Sequence, residues 1–366
     1  MTARAASPAR PGTRGADLAH LRGRRVLVTG GTGFLGRHLL PRLLAAEARV
    51  TCLARPGSEV ARLPDGVAVA RGDCASGEGL AEALAGQEIC IHMAALLFGL
   101  GWQDYLRANS RAAAQLARAA AASPTLGRLV LVSSLAAAGP AADPARAPGT
   151  PGAPGTPELP CRPVSAYGWS KLLAEEILGR ALGPRLVIVR PPIIYGSGDR
   201  GLLPVFRGVA RGVAASPGAF RRFPVSVVHA DDAAQGILLA SGPTASGAYF
   251  LSDGARHDMD SFCRAMGRAL GRERVRVLHL PLPVMAVTAA LGSGAGLLMA
   301  RLARLGACPA PRRAPNWNLD KYREARAPGW LCDAGRIMNE LGYAPRMDLE
   351  AGMAEAVEGY RREGWL

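Results

Sequence analysis

Short apolar runs alternate with longer helical stretches from Arg24 to Arg190, and this rhythm limits the fold more than any other feature. The runs are rich in Val and Leu, which is typical of strands buried on both faces of a sheet. Repeated strand–helix–strand connections place parallel strands in one sheet. We therefore predict an α/β fold with a doubly wound parallel sheet, with helices at 34–47, 103–122 and 165–182 and strands at 25–29, 49–54, 67–71, 88–92, 128–133 and 185–190.

The alternation loosens after residue 191, which predicts a second, smaller α+β lobe for the substrate. We assign 1–20 to a flexible tail, 21–190 to the sheet domain, and 191–366 to the lobe, with 224–241 returning to the sheet domain. Residues 139–163 are rich in Pro and Gly and predict a surface loop. The elements expected in the second half are strands at 225–229, 248–251 and 274–279, and helices at 231–241, 259–270, 333–341 and 349–362.

The formal net charge of +15 raises the question of a nucleic-acid partner. Of the 44 basic residues two are lysines, Lys171 and Lys321, and this skew toward Arg indicates a coding bias. No arginine-rich face is interleaved with aromatic residues, so we expect no nucleic-acid partner. The seven dispersed cysteines form no CxxC pair, and the first 20 residues have no apolar core of a signal peptide. We expect no metal site and a reducing, cytoplasmic location.

Residues 282–300 carry no charge, and a stretch of about 19 such positions is close to the length of a transmembrane helix. Proline, glycine, Ser and Thr dilute its hydrophobicity. We expect a buried pair of helices that lines an apolar substrate pocket. The alternative is a peripheral membrane contact with Arg301 and Arg304 at its edge.

A glycine-rich turn, TGGTGFLG, follows the first predicted strand and opens the first helix. Gly30, Gly33 and Gly36 form the pattern GxxGxxG, which lets a pyrophosphate approach the backbone N–H groups at a helix N-terminus. The strand–turn–helix context is what makes a glycine pattern specific. The sequence therefore predicts a dinucleotide site, with Thr32, Phe34 and Leu35 within the same turn.

The end of the second strand indicates which dinucleotide is bound. An acidic residue there would bind the ribose 2′-hydroxyl of NAD, but this chain has Ala54 followed by Arg55, which is able to pair with a 2′-phosphate. We therefore expect NADP(H) rather than NAD(H), which remains the alternative. Asp73, followed by Cys74, comes after the third strand and is placed to accept a hydrogen bond from the adenine amino group.

Tyr167 and Lys171 form a YxxxK pair, and the i,i+4 spacing places both side chains on one face of a helix. An ammonium beside a phenol lowers the pKa of the phenol by favouring its charged form. Lys171 would also hold ribose hydroxyls. Tyr167 would then act as general acid in ketone reduction or as general base in alcohol oxidation.

Two further polar residues are candidates for the same centre. Ser134 follows strand 128–133, at the sheet edge where open α/β sheets bind ligands, and would hydrogen-bond the reacting oxygen. Asn109 lies within helix 103–122, where Asn is unfavourable by propensity and usually points to solvent.

These motifs together resemble the extended short-chain dehydrogenase/reductase superfamily, of the NAD-dependent epimerase/dehydratase type, over about residues 24–366. The matching segments are TGGTGFLG, Gly72-Asp73, HMAA, LVSSLAAAG, YGWSK, RPPIIYGSGD and VHADD. Within the superfamily, LARPGS, YFLSDG and the ending EGYRREGWL look similar to the 3β-hydroxysteroid dehydrogenase and dihydroflavonol reductase branch.

The resemblance implies a Rossmann-type cofactor domain, with Ser134, Tyr167 and Lys171 at the catalytic positions and Asn109 as the helix asparagine. It implies that the segment with His229, Asp231 and Asp232 is structural. A homodimer formed by packing two helices of each subunit is an expectation from the family. The further residues expected to line the cofactor, besides Tyr167 and Lys171, are Met93, Ala94, Ala95, Pro191 and Ile193.

Three functions fit these residues. The leading one is reversible hydride transfer between NADP(H) and a carbonyl or secondary alcohol of a largely apolar small molecule. A nucleotide-sugar epimerase with bound NAD would use the same centre, but Arg55 without an acidic neighbour speaks against it. A non-catalytic NADP-sensing protein would have no need of Tyr167.

Overall fold

The computed structural model describes residues 18–150, 160–219, 221–305 and 314–366. Most of the predicted tail, and residues 151–159 of the predicted Pro/Gly-rich loop, lie outside the described residues. Within these ranges the chain forms strands β1 (Arg25–Thr29), β2 (Arg49–Ala54), β3 (Ala68–Arg71), β4 (Ile89–His92), β5 (Arg128–Val132), β6 (Leu186–Arg190), β7 (Ile193–Tyr195), β8 (Val213–Pro217), β9 (Pro224–Val225), β10 (Val227–His229), β11 (Gly247–Phe250), β12 (His257–Asp258) and β13 (Arg276–Leu280).

The helices connect these strands and cover the sheet. A π-helical segment, Leu106–Arg111, joins α3 to α4. The α-helices are α1 (Phe34–Ala45), α2 (Leu80–Leu84), α3 (Trp102–Tyr105), α4 (Ala112–Ala122), α5 (Leu135–Ala138), α6 (Ala166–Leu182), α7 (Leu203–Ala210), α8 (Ala230–Leu239), α9 (Met259–Ala269), α10 (Leu282–Arg304), α11 (Leu319–Ala325), α12 (Gly335–Leu341) and α13 (Leu349–Arg362).

Seven strands form one parallel sheet in the order β11-β6-β5-β4-β1-β2-β3, as expected for a doubly wound, Rossmann-like fold. Its central strands are apolar on both faces because helices cover both. Val26 and Val28 pack with α1 and α8 on one face, while Leu27 packs with α4 and α6 on the other. The predicted first six strands are therefore confirmed, with ends that differ by at most one residue.

One strand lies elsewhere than we predicted. We assigned residues 248–251 to the substrate lobe, but β11 pairs in parallel with β6 and extends the cofactor sheet. Tyr249 on β11, Ile237 on α8 and Ile337 on α12 belong to the same core as β1. The chain thus returns to the sheet domain more often than the composition of its second half suggests.

The remaining elements form a lobe with its own core, in which Phe206, Phe262, Met353 and Tyr360 are buried. The uncharged stretch 282–300 differs from the predicted helix pair. It belongs to one continuous helix, α10, and much of its apolar surface is exposed. Two of its glycines, Gly292 and Gly296, allow close packing, since a Cβ there would collide with the Trp317 carbonyl and with Leu100.

Candidate active site

The carboxyl ends of β1, β4, β5 and β6 meet at one edge of the sheet, since these four strands are parallel and adjacent. Strand β1 pairs with β2 on one side and with β4 on the other. The strands β2 and β3 are therefore added on one side of β1 and the later strands on the other, so the strand order reverses at β1. Such a reversal opens a crevice at the carboxyl edge. The sequence-predicted residues that follow these strands are brought together there, namely Gly30, Met93, Ala94, Ala95, Ser134, Pro191 and Ile193.

The glycine-rich turn has the tight geometry that its sequence predicts. Gly30 has φ of 77°, and a Cβ at this position would lie 2.7 Å from the backbone nitrogen of Ala94. Gly36 packs directly on the backbone of Gly31, where a Cβ would collide. A side chain is therefore excluded at Gly30 and at Gly36, and the backbone of the loop after β4 packs against Gly30.

The N-terminus of α1 fits a pyrophosphate. Gly33 is its N-cap, no side chain caps the helix, and its first turn has no acidic residue. The first N–H groups of an uncapped helix are unsatisfied and attract anions. Thr32, Phe34 and Leu35 in this turn are partly exposed, so their backbone would be accessible to the phosphates.

The adenosine end of the crevice would be formed by the loops after β2 and β3. Arg55 is exposed and, among the described residues, forms no salt bridge. Asp73 uses Oδ1 to accept a hydrogen bond from the backbone N–H of Ala75 (2.9 Å). Burial, reinforced by the Asp73 carboxylate, raises the pKa of the Cys74 thiol to about 12, which keeps it protonated. The geometry thus leaves the Arg55 guanidinium and the second Asp73 oxygen as the polar groups for a ligand.

Ser134 and Tyr167 form the reactive pair of the predicted centre. Ser134 is the N-cap of α5, and its oxygen accepts a hydrogen bond from the N–H of Ala136 (3.1 Å). The Ser134 side chain also acts on the Tyr167 phenol, in the direction that lowers the pKa of that group. Gly168 lets α6 approach α5, because a Cβ there would collide with the Ala136 carbonyl.

The N-terminus of α6, which carries Tyr167, is held by α11 from the substrate lobe. Asp320 accepts hydrogen bonds from the backbone N–H groups of Ala166 (2.6 Å) and Tyr167 (3.2 Å). Glu324 accepts one from the hydroxyl of Ser165, the N-cap of α6 (2.7 Å). Carboxylates at a helix N-terminus complement its dipole. The lobe thus fixes the position of the phenol.

Lys321 on the same helix places an ammonium against Tyr167. Its Nζ lies 4.7 Å from the centre of the Tyr167 ring and 5.5 Å from that of Phe98. It also forms a 2.9 Å salt bridge with Glu324. Burial raises the pKa of Tyr167, while the charge of Lys321 and the Ser134 side chain act in the lowering direction.

Lys171 has a different environment from the one we predicted. Its Nζ donates a hydrogen bond to the carbonyl of Val132 (2.6 Å), and burial lowers its pKa to about 8 against the opposing charge of Glu175. In this structure Lys321 is a cation that lowers the pKa of Tyr167, and the effect predicted for Lys171 on the phenol stays a prediction. Lys171 remains on the same helical face, one turn along α6.

Asn109 does not point to solvent. It lies in the π-helical segment, and its side chain is buried. Its amide accepts from the N–H of Leu96 (2.8 Å) and donates to the carbonyl of Leu96 (3.2 Å) and the hydroxyl of Ser170 (2.9 Å). No contact with the phenol or the amine is formed among the described residues, and the predicted catalytic role of Asn109 stays a prediction.

A buried ion pair lies beneath the reactive centre. Glu175 of α6 and Arg190 at the end of β6 form two hydrogen bonds, of 2.6 and 3.0 Å, with both side chains about 5% exposed. Ser133 donates to the same carboxylate. This pair joins the catalytic helix to the strand that leads to Pro191, whose carbonyl accepts from the N–H of Leu135 (2.8 Å).

The VHADD segment is held by protein partners. His229 contacts Glu355 (3.0 Å), and Asp231 pairs with Arg42 (3.0 Å). Asp232 accepts from two backbone N–H groups of the loop before α13, those of residues 346 and 347. These contacts join the sheet to the lobe, as a structural segment would.

Sequence reasoning missed the contribution of α11 to this site. The signal was the identity of Lys321, since it is one of two lysines in a chain that otherwise uses arginine. Its distance in sequence from Tyr167 hid the contact, which arises when the lobe folds over the sheet edge.

Comparisons with known proteins agree with this geometry. The model of the NAD dependent epimerase/dehydratase family matches residues 26–248. A ceramide reductase from Caulobacter vibrioides is 30% identical over 347 residues, which cover 93% of this chain and 96% of the relative. A 4-hydroxy-2-methyl-3-oxo-4-farnesyl-3,4-dihydroquinoline-1-oxide ketoreductase from Stigmatella aurantiaca is 30% identical and covers 90% of this chain and 94% of its own length.

The fold is also found among solved structures. The UDP-glucose 4-epimerase of Thermus thermophilus, determined as a complex with NAD, superposes with a TM-score of 0.66. It is 21% identical, and the match covers 92% of this chain and 99% of that one. At this identity the similarity concerns the fold.

Proposed function

The chain belongs to the NAD dependent epimerase/dehydratase family and is an NAD(P)-dependent enzyme, and from this premise we propose that it is an NADP(H)-dependent oxidoreductase. Its substrate would be a carbonyl, or the corresponding secondary alcohol, on a largely apolar small molecule. Two relatives at 30% identity support this substrate class, because their names describe reductases of a ceramide and of a farnesylated quinoline.

The close packing of α6 on α5, which brings Tyr167 and Ser134 together at the carboxyl edge of the sheet, is the observation that carries the proposal. The Ser134 oxygen already accepts from Ala136, so its hydrogen is free to donate to the phenol or to a reacting oxygen. In reduction Tyr167 would donate its proton to the carbonyl oxygen, and in oxidation it would remove the alcohol proton. When bound, the nicotinamide supplies or accepts the hydride.

The proposed preference for NADP(H) depends on Arg55. It lies at the end of β2 with no salt-bridge partner among the described residues, and the preceding Ala54 has no oxygen for a ribose 2′-hydroxyl. A guanidinium pairs with a phosphate in a bidentate geometry. Lys171, whose amine is near the end of β5, would hold the nicotinamide ribose.

Substitution Tyr167→Phe tests the chemistry. Removing the hydroxyl should abolish turnover of a ketone panel, while NADPH binding measured by fluorescence titration should persist, since the ring remains. Tyr322→Phe, one residue beyond Lys321 on α11, is the matched control and should retain turnover. Turnover in the Tyr167→Phe variant within about threefold of the parent enzyme would refute the mechanism.

Arg55→Ala tests the cofactor preference. The Kd for NADPH should rise at least about tenfold, because a charge-assisted phosphate contact is lost, whereas the Kd for NADH should stay unchanged. Arg49→Ala, at the opposite end of the same strand, is the control for the loss of one exposed Arg. An equal rise in the Kd values for NADPH and NADH would contradict the proposed role of Arg55 in cofactor preference. Tightly bound NAD with turnover of nucleotide sugars would instead identify an epimerase.

A further inference from the structure

The outer face of α10 is an exposed apolar surface. Side chains that recur at helical spacing, Val284, Val287, Leu291, Leu298 and Leu302, are between 37% and 69% exposed, and Leu291 is the most exposed of them. Residues 282–300 contain no charged side chain. Soluble proteins rarely leave such a contiguous apolar face in water without a partner.

The inner face of the same helix is packed on the protein. Met285, Ala289 and Ser293 are buried, and the Ser293 hydroxyl accepts a hydrogen bond from the N–H of Leu319 (2.9 Å). Gly296 contacts Leu100 closely. Although α10 is long and apolar enough to cross a bilayer, it would have to leave these contacts to do so. Its position therefore suits a helix that lies on a membrane surface.

Charge favours a lipid surface over another apolar partner. Residues 274–319 contain six arginines, at positions 274, 276, 301, 304, 312 and 313, and no Asp or Glu. Arg276 precedes α10 and Arg301 lies in its last turn, and both are exposed. An apolar helix face with cationic ends matches the acyl region and the anionic headgroups of a bilayer. The whole chain, at +15, adds to this attraction.

The same part of the fold reaches the candidate active site. Leu100, which contacts α10, belongs to the loop that presents Phe98 to Lys321. This loop also carries Leu97, and α3 begins with Trp102, and these two side chains are 52% and 42% exposed. Exposed Trp residues are typical of membrane interfaces. Exposed apolar side chains thus occur both on α10 and on the loop beside the phenol.

We propose that the outer face of α10, with the neighbouring loop 96–102, docks in the interface of a lipid bilayer, from which the apolar substrate reaches the active site. The choice of a bilayer as the source of substrate rests on the proposed function. The docking itself rests on the exposed face and its basic flanks. The helix would lie in the plane of the membrane, with its inner face still packed on α11.

Sedimentation of the full chain with vesicles tests the docking. The probes are vesicles of phosphatidylcholine alone and of phosphatidylcholine with about one third phosphatidylglycerol. We expect the parent chain to bind both, more strongly with phosphatidylglycerol, and to keep its binding to phosphatidylcholine in high salt. Leu291→Glu combined with Leu298→Glu should lower the partition coefficient on phosphatidylcholine by about tenfold or more.

The control is Val69→Glu combined with Ala81→Glu, which places the same two charges on β3 and α2 at exposed positions away from α10 and its arginines. This variant should bind vesicles like the parent. Light scattering without lipid measures self-association and so distinguishes the two other ways in which the outer face of α10 could be covered. A dimer that the α10 variant dissociates, with no vesicle binding, would assign the face to a second copy. Neither vesicle binding nor self-association would assign it to another segment of this chain. Both results would overturn the proposal.

Turnover of a short, water-soluble ketone with NADPH distinguishes this failure from a failure of the proposed function. The α10 variant should reduce such a ketone like the parent, while its rate on a vesicle-embedded ketone should fall with its vesicle binding. Loss of vesicle binding with both rates unchanged would overturn the route from the bilayer. Vesicle binding by a parent chain that reduces no ketone would refute the proposed function and leave the docking in place.

Discussion

Replacing Lys321 with Met tests the electrostatics of the site most directly, because Met keeps a chain of similar length and removes the charge. The ammonium lies 4.7 Å from the centre of the Tyr167 ring. A nearby positive charge favours the phenolate, so its removal should raise the pKa of Tyr167 further above its ordinary value. The rising limb of the pH profile for alcohol oxidation should then move to higher pH.

The size of the effect follows from the two charges around the phenol. If the phenolate charge is placed at the ring centre and the effective dielectric constant is about 20, the ammonium attracts it by about 3.5 kcal/mol. The Glu324 carboxylate, 2.9 Å from the same ammonium, opposes part of this attraction. A net loss of about 1.5 kcal/mol would lower kcat/KM for alcohol oxidation at neutral pH about tenfold.

The assay is the pH dependence of kcat/KM in the oxidation direction for the parent, Lys321→Met and Lys321→Arg. Oxidation requires the deprotonated phenol. A raised pKa of Tyr167 should therefore lower the rate at pH values below that pKa and leave the rate unchanged at pH values well above it. Lys321→Arg keeps the charge and should restore the limb toward that of the parent, whereas a packing defect would be restored by neither. An unchanged limb in Lys321→Met, in a variant that unfolds at the same temperature as the parent, would refute the assignment of Lys321.

Three further results are expected. Glu175→Gln removes the carboxylate charge that neutralises the buried Arg190 guanidinium, so urea unfolding should show a loss of about 3 kcal/mol, partly recovered by adding Arg190→Met; no loss would contradict the importance of the pair. Gly30→Val should weaken NADPH binding at least about tenfold in a fluorescence titration, while Gly23→Val, with a similar φ but open space, should not. Burial raises the pKa of Glu355, but hydrogen bonds from its histidine and serine partners outweigh this effect and lower the pKa to about 2. The ionised Glu355 therefore stabilises the folded state above the pKa that Glu355 has in the unfolded chain, and this contribution is lost as the pH falls toward 2. Glu355→Gln should therefore cost about 2 kcal/mol at pH 7 and much less at pH 3, and an equal cost at both would contradict this.

Much of the fold could be read from local sequence because its signals are short in range. The strand at 25–29, the glycine turn and the helix that begins at Phe34 follow from apolar periodicity and from the absence of side chains at three positions. The YxxxK spacing likewise places Tyr167 and Lys171 on one helix without knowledge of the tertiary structure. Each of these depends on neighbours within a few residues.

The errors have a common cause in packing between distant segments. Residues 282–300 were expected to be buried because they are apolar, yet apolar composition says which residues avoid water and not which surface covers them. Strand β11 resembles the short strands of the lobe, and only its pairing with β6 places it in the sheet. Asn109 has few favourable contacts within its own helix, and its partners Leu96 and Ser170 become visible only when the elements are assembled.

The sequence alone therefore determined the parallel sheet, the glycine turn and the presence of Ser134, Tyr167 and Lys171 at one edge. The tertiary structure decided which cation faces the phenol. Charges act through space, and the lobe brings Lys321 across 154 positions of chain to within 4.7 Å of the Tyr167 ring, while Lys171, four residues away, directs its amine to a strand carbonyl.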